Sequence, residues 1–197
     1  MRIKTVIFDL DGTVVENSYD WTGIREELGT GETSILHYLD SLGEPERSRK
    51  WAVLERHEAF QTAGSSVRRG TKGLLAFLRE AGVRAALVTN NSRSNTDFLL
   101  EKFGLAFDLV LTRESGLWKP SGAPFRQVMQ VFDVTGKECC VVGDTRFDIL
   151  AAMDAGIGKI FLISGEPKRF AGLPVEVFAS VEALQARLTE LLGGPAA

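Results

Sequence analysis

Two aspartates in the segment FDLDGT stand two residues apart, Asp9 and Asp11, directly after the apolar run Thr5–Phe8. Residues at this spacing point to the same side of an extended strand, so both carboxylates can face one site. Carboxylates at the end of a buried strand repel each other and are destabilising unless a cation compensates for their charge. The pattern indicates a site for chemistry rather than a structural turn.

Three further polar segments follow apolar runs later in the chain. Thr89 and Asn90 follow one such run, Lys119 lies in the segment WKP, and Asp144 and Asp148 lie in GDTRFD. The last two residues are four apart at the start of a predicted helix and therefore share a helix face. Because ligands bind outside the carboxyl ends of the strands in an open parallel sheet, we expect the four segments to form one site.

The residue types in these segments favour one kind of reaction. Mg²⁺ is the cation that suits a cluster of carboxylates beside a substrate phosphate. Lys119 adds a fixed positive charge, while the Thr89 hydroxyl and backbone N–H groups can donate to anionic oxygens. Such a set is typical of phosphoryl transfer with one aspartate as the nucleophile.

The elements that must hold these residues alternate between strands and helices. The predicted strands are Thr5–Phe8, Arg84–Thr89, Leu109–Leu111, Cys139–Val142, Ile160–Ile163 and, more weakly marked, Val175–Phe178. Helical patterns lie between and after them, at 71–82, 94–104 (with Ser94 as the N-cap), 121–132, 147–156 and 181–192. The strands are continuous apolar runs, as in parallel strands that are buried on both faces. The pattern predicts an α/β fold, a doubly wound, Rossmann-like parallel sheet.

One region interrupts the alternation. Residues 16–69 contain three helical patterns, Trp21–Leu28, Ser34–Leu42 and Glu46–Ala63, and no convincing strand. We therefore expect two domains, an α/β core formed by residues 1–15 and 70–197 and a small all-helical insertion over residues 16–69.

Composition excludes several classes of protein. The net charge is -3 over 197 residues, so no basic surplus indicates a nucleic-acid partner. No apolar run reaches the roughly 18 residues that would predict a membrane span. The N-terminal apolar stretch is interrupted by aspartates, and we expect no signal peptide. Cys139 and Cys140 are adjacent in an apolar run, which predicts reduced core residues and, with the other points, a cytoplasmic protein.

The four polar segments together resemble the motifs of the haloacid dehalogenase superfamily. The matching stretches are DLDGT (9–13), LVTNN (87–91), WKP (118–120) and GDTRFD (143–148), in this order, and the resemblance covers nearly the whole chain. It implies a phosphoglycolate-phosphatase-like enzyme that hydrolyses a small phosphomonoester. It also implies that the helical insertion is a cap of the kind that such enzymes carry after the first motif.

The resemblance assigns roles to the catalytic candidates. Asp9 would attack the phosphoryl group and form an aspartyl-phosphate, and Asp11 would act as the general acid and base. Thr89 would hold a phosphoryl oxygen, and Lys119 would neutralise charge on the nucleophile and the phosphate. Thr13, Asn90 and Arg69 are the candidates for substrate binding, Asn90 through its backbone N–H.

The resemblance also implies a Mg²⁺ site. The ligands would be the carboxylates of Asp9 and Asp144 and the backbone carbonyl of Asp11. Asp148 would be a further ligand or a partner of the ligands.

Other functions remain open at this stage. Asp11 argues against a dehalogenase, because a halide leaves without a proton. A phosphomutase, which transfers the phosphoryl group between sugar hydroxyls, would share all four motifs. A binding protein that had lost activity would usually lack a motif residue, and none is missing. The particular phosphorylated metabolite is not readable from the chain, and we expect a monomer or a homodimer.

Overall fold

The computed structural model describes residues 2–17, 19–31 and 33–193. Two compact units are present, one formed by Met1–Glu16 and Val67–Ala197 and the other by Asn17–Ser66. In chain order the strands and α-helices are β1 (Thr5–Phe8), β2 (Val15–Glu16), α1 (Trp21–Leu28), α2 (Ile35–Ser41), α3 (Glu46–Ala63), β3 (Ser66–Val67), α4 (Thr71–Glu80), β4 (Arg84–Val88), α5 (Arg93–Phe103), β5 (Leu109–Leu111), α6 (Ala123–Phe132), β6 (Cys139–Gly143), α7 (Arg146–Asp154), β7 (Ile160–Ile163), β8 (Glu176–Phe178) and α8 (Val181–Leu191).

The first unit contains a six-stranded parallel sheet in the order β5-β4-β1-β6-β7-β8. The chain starts in the middle of the sheet, proceeds to one edge and returns to the other side of β1. Strands β1 and β6 are therefore neighbours in the sheet, although the chain forms β4 and β5 of this sheet between them. This is the switch point at which doubly wound sheets bind ligands. The prediction of a doubly wound, Rossmann-like parallel sheet is confirmed.

Helices cover both faces of the sheet because successive side chains of each strand point to opposite sides. Val6 and Phe8 of β1 pack in the core beneath α4, α5 and α8, whereas Ile7 packs beneath α6 and α7. Cys139 and Cys140 are both buried, unbridged and on opposite faces. The two cysteines are core residues of β6, as predicted.

The start of α5 differs from the prediction. The N-cap is Ser92, whose side chain accepts a hydrogen bond from the Asn95 N–H, and the helix begins at Arg93. Ser94 lies in the first turn instead. Strand β4 ends at Val88, and the short connection leaves Ser92 as the last extended residue before the helix, with φ −71° and ψ 156°.

The second unit contains the three predicted helices α1, α2 and α3. Its small core includes Ile24, Leu28, Leu39 and Leu54, all nearly inaccessible. Glu27 of α1 binds Arg56 and His57 of α3, which joins these helices at the surface. The interpretation of this unit as a cap stays a prediction. None of the helices within the described ranges has the length and apolarity that crossing a membrane requires.

Candidate active site

The predicted residues gather at the switch point of the sheet. Asp9 continues β1 by one residue, and its N–H donates to the carbonyl of Val142 in β6 (2.9 Å). Asp144 follows β6 directly. Because β1 and β6 are adjacent and parallel, with Phe8 paired to Val142, their carboxyl ends place both aspartates at the same edge.

Lys119 forms the centre of the charged cluster. Its Nζ lies 2.6 Å from Oδ1 of Asp9 and 2.7 Å from Oδ1 of Asp148, and the residue is only 3% exposed. Burial by itself would lower the pKa of Lys119, but the neighbouring Asp148 and Asp9 outweigh it and raise the pKa above its ordinary value. Lys119 is therefore a permanent cation bound to two carboxylates.

Asp148 is completely buried and both of its oxygens accept hydrogen bonds. Oδ1 accepts from Lys119, while Oδ2 accepts from the backbone N–H of Thr145 (3.0 Å) and from its hydroxyl (2.8 Å). Asp148 is thus the third residue of a capping box at the start of α7. A Cβ at Gly143 would overlap the Asp148 side chain, so glycine is required where β6 passes it.

Asp144 lies against the loop that follows β1. Its Oδ1 accepts from the Thr13 hydroxyl (3.4 Å). Gly12 has φ +78°, and a Cβ at this position would lie 2.7 Å from Cγ of Asp144. The glycine of the first motif therefore allows the loop to turn and leaves room for the second carboxylate.

Two carboxyl groups of this cluster, those of Asp9 and Asp144, have pKa values well above the ordinary value. Burial raises the pKa of Asp9 to about 7, with Asp148 and Asp11 adding to the effect and Lys119 opposing it. Burial likewise raises the pKa of Asp144 to about 8, assisted by Asp9 and Asp148. Asp9, Asp144 and Asp148 each present an oxygen within 4.8 Å of the others. One lysine does not compensate for this much negative charge, so the cluster has the character of a cation site.

Thr89 and Asn90, which follow β4 directly, form a second part of the site. The buried hydroxyl of Thr89 accepts from the N–H of Asn91 (3.0 Å), and its own proton can be donated to another oxygen. The side chain of Asn90 donates to the Lys119 carbonyl (2.9 Å) and accepts from the Lys119 N–H (3.0 Å). The Asn90 side chain therefore holds the lysine segment, which leaves only its backbone N–H for the predicted substrate contact.

Sequence reasoning overlooked Asn91, whose Nδ2 donates to Oδ2 of Asp11 (2.9 Å). The residue is 4% exposed and lies in the polar run after β4, but nothing in the run distinguishes Asn91 from Asn90. Their different partners follow from side-chain direction, since Asn90 reaches the Lys119 segment and Asn91 reaches the loop after β1.

Arg68 and Arg69 are neighbours in sequence with different surroundings. The Arg68 guanidinium donates to the carbonyls of Gly12 (2.7 Å) and Thr13 (3.0 Å), which braces the loop after β1. The side chain of Arg69 is 96% exposed, and it pairs with Glu182 at the start of α8 (3.3 Å). Arg69 therefore lies beside the start of α8 and not among the carboxylates of Asp9, Asp144 and Asp148.

The structure thus joins Asp9, Lys119, Asp148 and Asp144 in one cluster. Thr13 contacts this cluster directly, and Asn90 connects to it through the Lys119 backbone, whereas Thr89 binds the N–H of Asn91. The catalytic, substrate-binding and metal roles of these residues stay predictions.

Comparison with known proteins gives three results. A family model for haloacid dehalogenase-like hydrolases matches residues 18–156, more than two thirds of the chain. Phosphoglycolate phosphatase 1 of Pseudomonas aeruginosa is 29% identical over 182 residues, covering 78% of this chain and 67% of the relative. Hexitol phosphatase A of Escherichia coli is 29% identical over 175 residues, covering 79% of this chain and 81% of the relative.

The fold has solved counterparts as well. The crystal structure of CbbY from Rhodobacter sphaeroides in complex with phosphate superposes with a TM-score of 0.69 at 25% identity and covers 98% of each chain. The resemblance inferred from the four motifs is confirmed. The chain belongs to the haloacid dehalogenase-like hydrolases, and the relatives named above are phosphatases.

Proposed function

We propose that this protein hydrolyses a small phosphomonoester in a Mg²⁺-dependent reaction, through an aspartyl-phosphate on Asp9 and with Asp11 as general acid and base. The observation that carries the proposal is the position of Asp9. Its carboxylate lies at the switch point of the sheet, bound to the buried cation Lys119 and beside a second carboxylate, Asp144.

The reaction needs two steps on the same carboxylate. In the first, an Asp9 oxygen attacks phosphorus, the bond from phosphorus to the leaving oxygen breaks, and Asp11 donates a proton to that oxygen. In the second, water attacks the phosphoryl group, Asp11 takes a proton from the water, and the bond from phosphorus to Asp9 breaks. Inorganic phosphate leaves, and both aspartates return to their starting states.

The donor set fits Mg²⁺, because carboxylates are hard oxygen ligands and the raised pKa values of Asp9 and Asp144 show that the nearby positive charge does not balance their negative charge. Asp9 and Asp144 would hold the ion, with the predicted backbone carbonyl of Asp11. We propose that Asp148 positions Lys119, since both Asp148 oxygens already accept hydrogen bonds. When bound, the ion acts as a Lewis acid on the phosphoryl oxygens.

Lys119, Thr89 and Asn90 would bind the phosphoryl group. Lys119 offsets negative charge that develops near Asp9, and the Thr89 hydroxyl donates to a phosphoryl oxygen. The backbone N–H of Asn90 is a second candidate donor. We retain a cap role for the helical unit, a cytoplasmic location and a monomer or homodimer as predictions.

The proposal is tested by phosphate release. Purified protein with Mg²⁺ should release phosphate from p-nitrophenyl phosphate and from at least one member of a panel containing phosphoglycolate, hexitol phosphates, nucleotide monophosphates and pyrophosphate. EDTA should abolish the release, and added Mg²⁺ should restore it. Isomer formation from hexose phosphates without phosphate release would indicate a phosphomutase instead, and no turnover of any phosphoester would contradict the proposal.

Mg²⁺ should stabilise the protein more at pH 8 than at pH 6. The pKa of Asp9 is about 7 and that of Asp144 about 8, both above the ordinary 3.8, so the metal-free folded state binds these protons more tightly than the unfolded chain. These groups then favour folding most at low pH and lose this contribution as the pH rises toward 7 and 8. Because Mg²⁺ must displace the protons, its effect grows over the same range.

Thermal unfolding measures this effect. Saturating Mg²⁺ should raise the melting temperature by about 5 °C at pH 8 and by about 1–2 °C at pH 6. Asp144→Asn, which removes one proposed ligand, should lose most of the shift at pH 8. Equal shifts at the two pH values would show that these carboxyls do not bind the ion.

Asp11→Asn should reduce activity in a way that depends on the leaving group. General acid catalysis contributes about 10²–10⁴-fold, and it matters most when the leaving oxygen is basic. The kcat/KM for phenyl phosphate should therefore fall by about 10³-fold, and the kcat/KM for p-nitrophenyl phosphate by a much smaller factor. Steady-state kinetics on the two esters measures this difference, because kcat/KM reports the step in which the ester oxygen leaves and not the later hydrolysis common to both esters. Equal losses of kcat/KM on both would contradict the acid role of Asp11.

A further inference from the structure

A buried amide contacts the proposed general acid and base. Nδ2 of Asn91 lies 2.9 Å from Oδ2 of Asp11, although the two residues are 80 positions apart in the chain. The contact arises because β4 and β1 are adjacent and parallel, so the loops after them meet at the same edge of the sheet. Asn91 is 4% exposed, which keeps the contact largely out of water.

The orientation of this amide is fixed by its other side. Oδ1 of Asn91 accepts from the backbone N–H of Ser92 (2.7 Å) and from Nδ2 of Asn95 (3.2 Å). A backbone N–H can only donate, so the atom that faces it must be the amide oxygen. The nitrogen therefore faces Asp11, toward which it can only donate.

The Asn91 backbone is held as firmly as its side chain. Its N–H donates to the Thr89 hydroxyl (3.0 Å), and its carbonyl accepts from the Arg113 N–H (3.1 Å). Ser92, which follows, is the N-cap of α5. A donor on such a frame can fix the direction of a partner that lies on a loop.

We infer that Asn91 is a positioning residue, which directs the Asp11 carboxylate toward the reacting oxygen through the bond from its Nδ2. This inference rests on the proposed function of Asp11. Proton transfer in the transition state requires hydrogen-bond distance and alignment, and small displacements of a catalytic group reduce rates steeply. In this scheme the side chain of Asn91 acts through Asp11 and has no part in the attack by Asp9.

The variant Asn91→Asp tests the contact with little change in shape. It keeps an oxygen to accept from Ser92 and Asn95 but removes the donor that faces Asp11. The kcat/KM for phenyl phosphate should fall by about 30-fold and the kcat/KM for p-nitrophenyl phosphate by about 3-fold, since this parameter reports the step in which Asp11 protonates the leaving oxygen. Asn91→Ala should change the ratio of the two kcat/KM values in the same direction.

Two controls separate this effect from a general disturbance. Ser94→Asp adds the same charge to the exposed first turn of α5, and it should leave the ratio of the two kcat/KM values unchanged. In an Asp11→Asn background, adding Asn91→Asp should change the ratio by less than about 2-fold, because the group that Asn91 directs is gone.

The contact also has a readout that does not involve catalysis. Asn91→Asp places two carboxylates against each other and should lower the melting temperature. The double variant Asn91→Asp with Asp11→Asn restores a donor and an acceptor with their roles exchanged, so the melting temperature should recover.

The outcomes distinguish the inference from the proposed function. If Asp11→Asn changes the ratio of the two kcat/KM values and neither Asn91 variant does, the inference is wrong and the role of Asp11 stands. If Asp11→Asn leaves the ratio unchanged, the proposed acid role fails and the inference fails with it. An undiminished effect of Asn91→Asp in the Asp11→Asn background would also overturn the inference.

Discussion

Asp9→Asn should abolish hydrolysis, with kcat on p-nitrophenyl phosphate lowered by at least about 10³-fold, because the amide cannot form the acyl phosphate. The substitution preserves shape and leaves Lys119 its second partner, Asp148, at 2.7 Å. It also removes a buried carboxylate whose pKa burial raises to about 7. Without Mg²⁺ at pH 8, the variant should be at least as stable as the parent protein.

The stability measurement is what makes this result interpretable. A variant that is folded but inactive has lost a catalytic group, whereas the inactivity of an unfolded variant says nothing about the nucleophile. Asp133→Asn is the matched control, since it makes the same change at an exposed residue with φ 50°, a conformation that asparagine adopts readily. Its activity should equal that of the parent. Retention of parental activity by Asp9→Asn would show that Asp9 is not the nucleophile.

Lys119→Met should both inactivate and strongly destabilise the protein. The ammonium lies within 2.7 Å of two carboxylates, and removing one partner of a buried ion pair leaves uncompensated charge that typically costs about 3–5 kcal/mol. Activity at neutral pH should fall by at least about 10²-fold, since Lys119 would also bind the phosphoryl group. Urea unfolding and phosphate release measure the two effects separately.

The destabilisation should depend on pH in a defined direction. Burial raises the pKa of Asp9 to about 7 although Lys119 lowers it, so removing the lysine raises the pKa further. At pH 5 the Asp9 carboxyl is then protonated in the folded variant and needs no cation. At pH 8 the carboxyl is ionised in the unfolded chain. Folding of the variant must then either bury the ionised carboxylate without the lysine or bind a proton from a solution in which protons are scarce, and both cost free energy. The loss in unfolding free energy should therefore be larger at pH 8 than at pH 5.

The exposed Lys137 offers the matched control for this change, and Lys137→Met should alter neither stability nor activity measurably. Mg²⁺ should recover part of the stability of Lys119→Met at pH 8, because it would supply positive charge to Asp9, which the lysine also binds. A destabilisation by Lys119→Met that is equal at the two pH values would contradict an electrostatic role for the lysine.

Much of this architecture was predictable from local patterns. Continuous apolar runs such as Thr5–Phe8 and Ile160–Ile163 identify strands that are buried on both faces, and both are found as predicted. The four polar segments identify the family because each carries a charged or hydroxyl-bearing residue in the connection that follows a strand. Burial preference and periodicity are properties of neighbouring residues, so the sequence carries them directly.

Partners of individual side chains were not predictable in this way. The sequence presents Asn90 and Asn91 as equivalent, yet one holds the Lys119 segment and the other binds Asp11. It presents Arg69 as a substrate contact, yet the side chain is exposed and pairs with Glu182. Each outcome depends on side-chain direction at a loop, for which no local periodicity exists.

By itself, therefore, the sequence determined the parallel sheet, the three helices of the second unit and most of the residues that gather at the switch point, but not Asn91. Only the tertiary structure decided that Asp148 binds Lys119 through one oxygen and caps α7 through the other. It also decided that Asp144 lies against Gly12. The cap of α7 is local, but Lys119 and Asp148 are 29 positions apart and meet only when their loop and helix pack together. The contact of Asp144 with Gly12 joins segments more than a hundred residues apart, and it forms only when β6 returns to the side of β1.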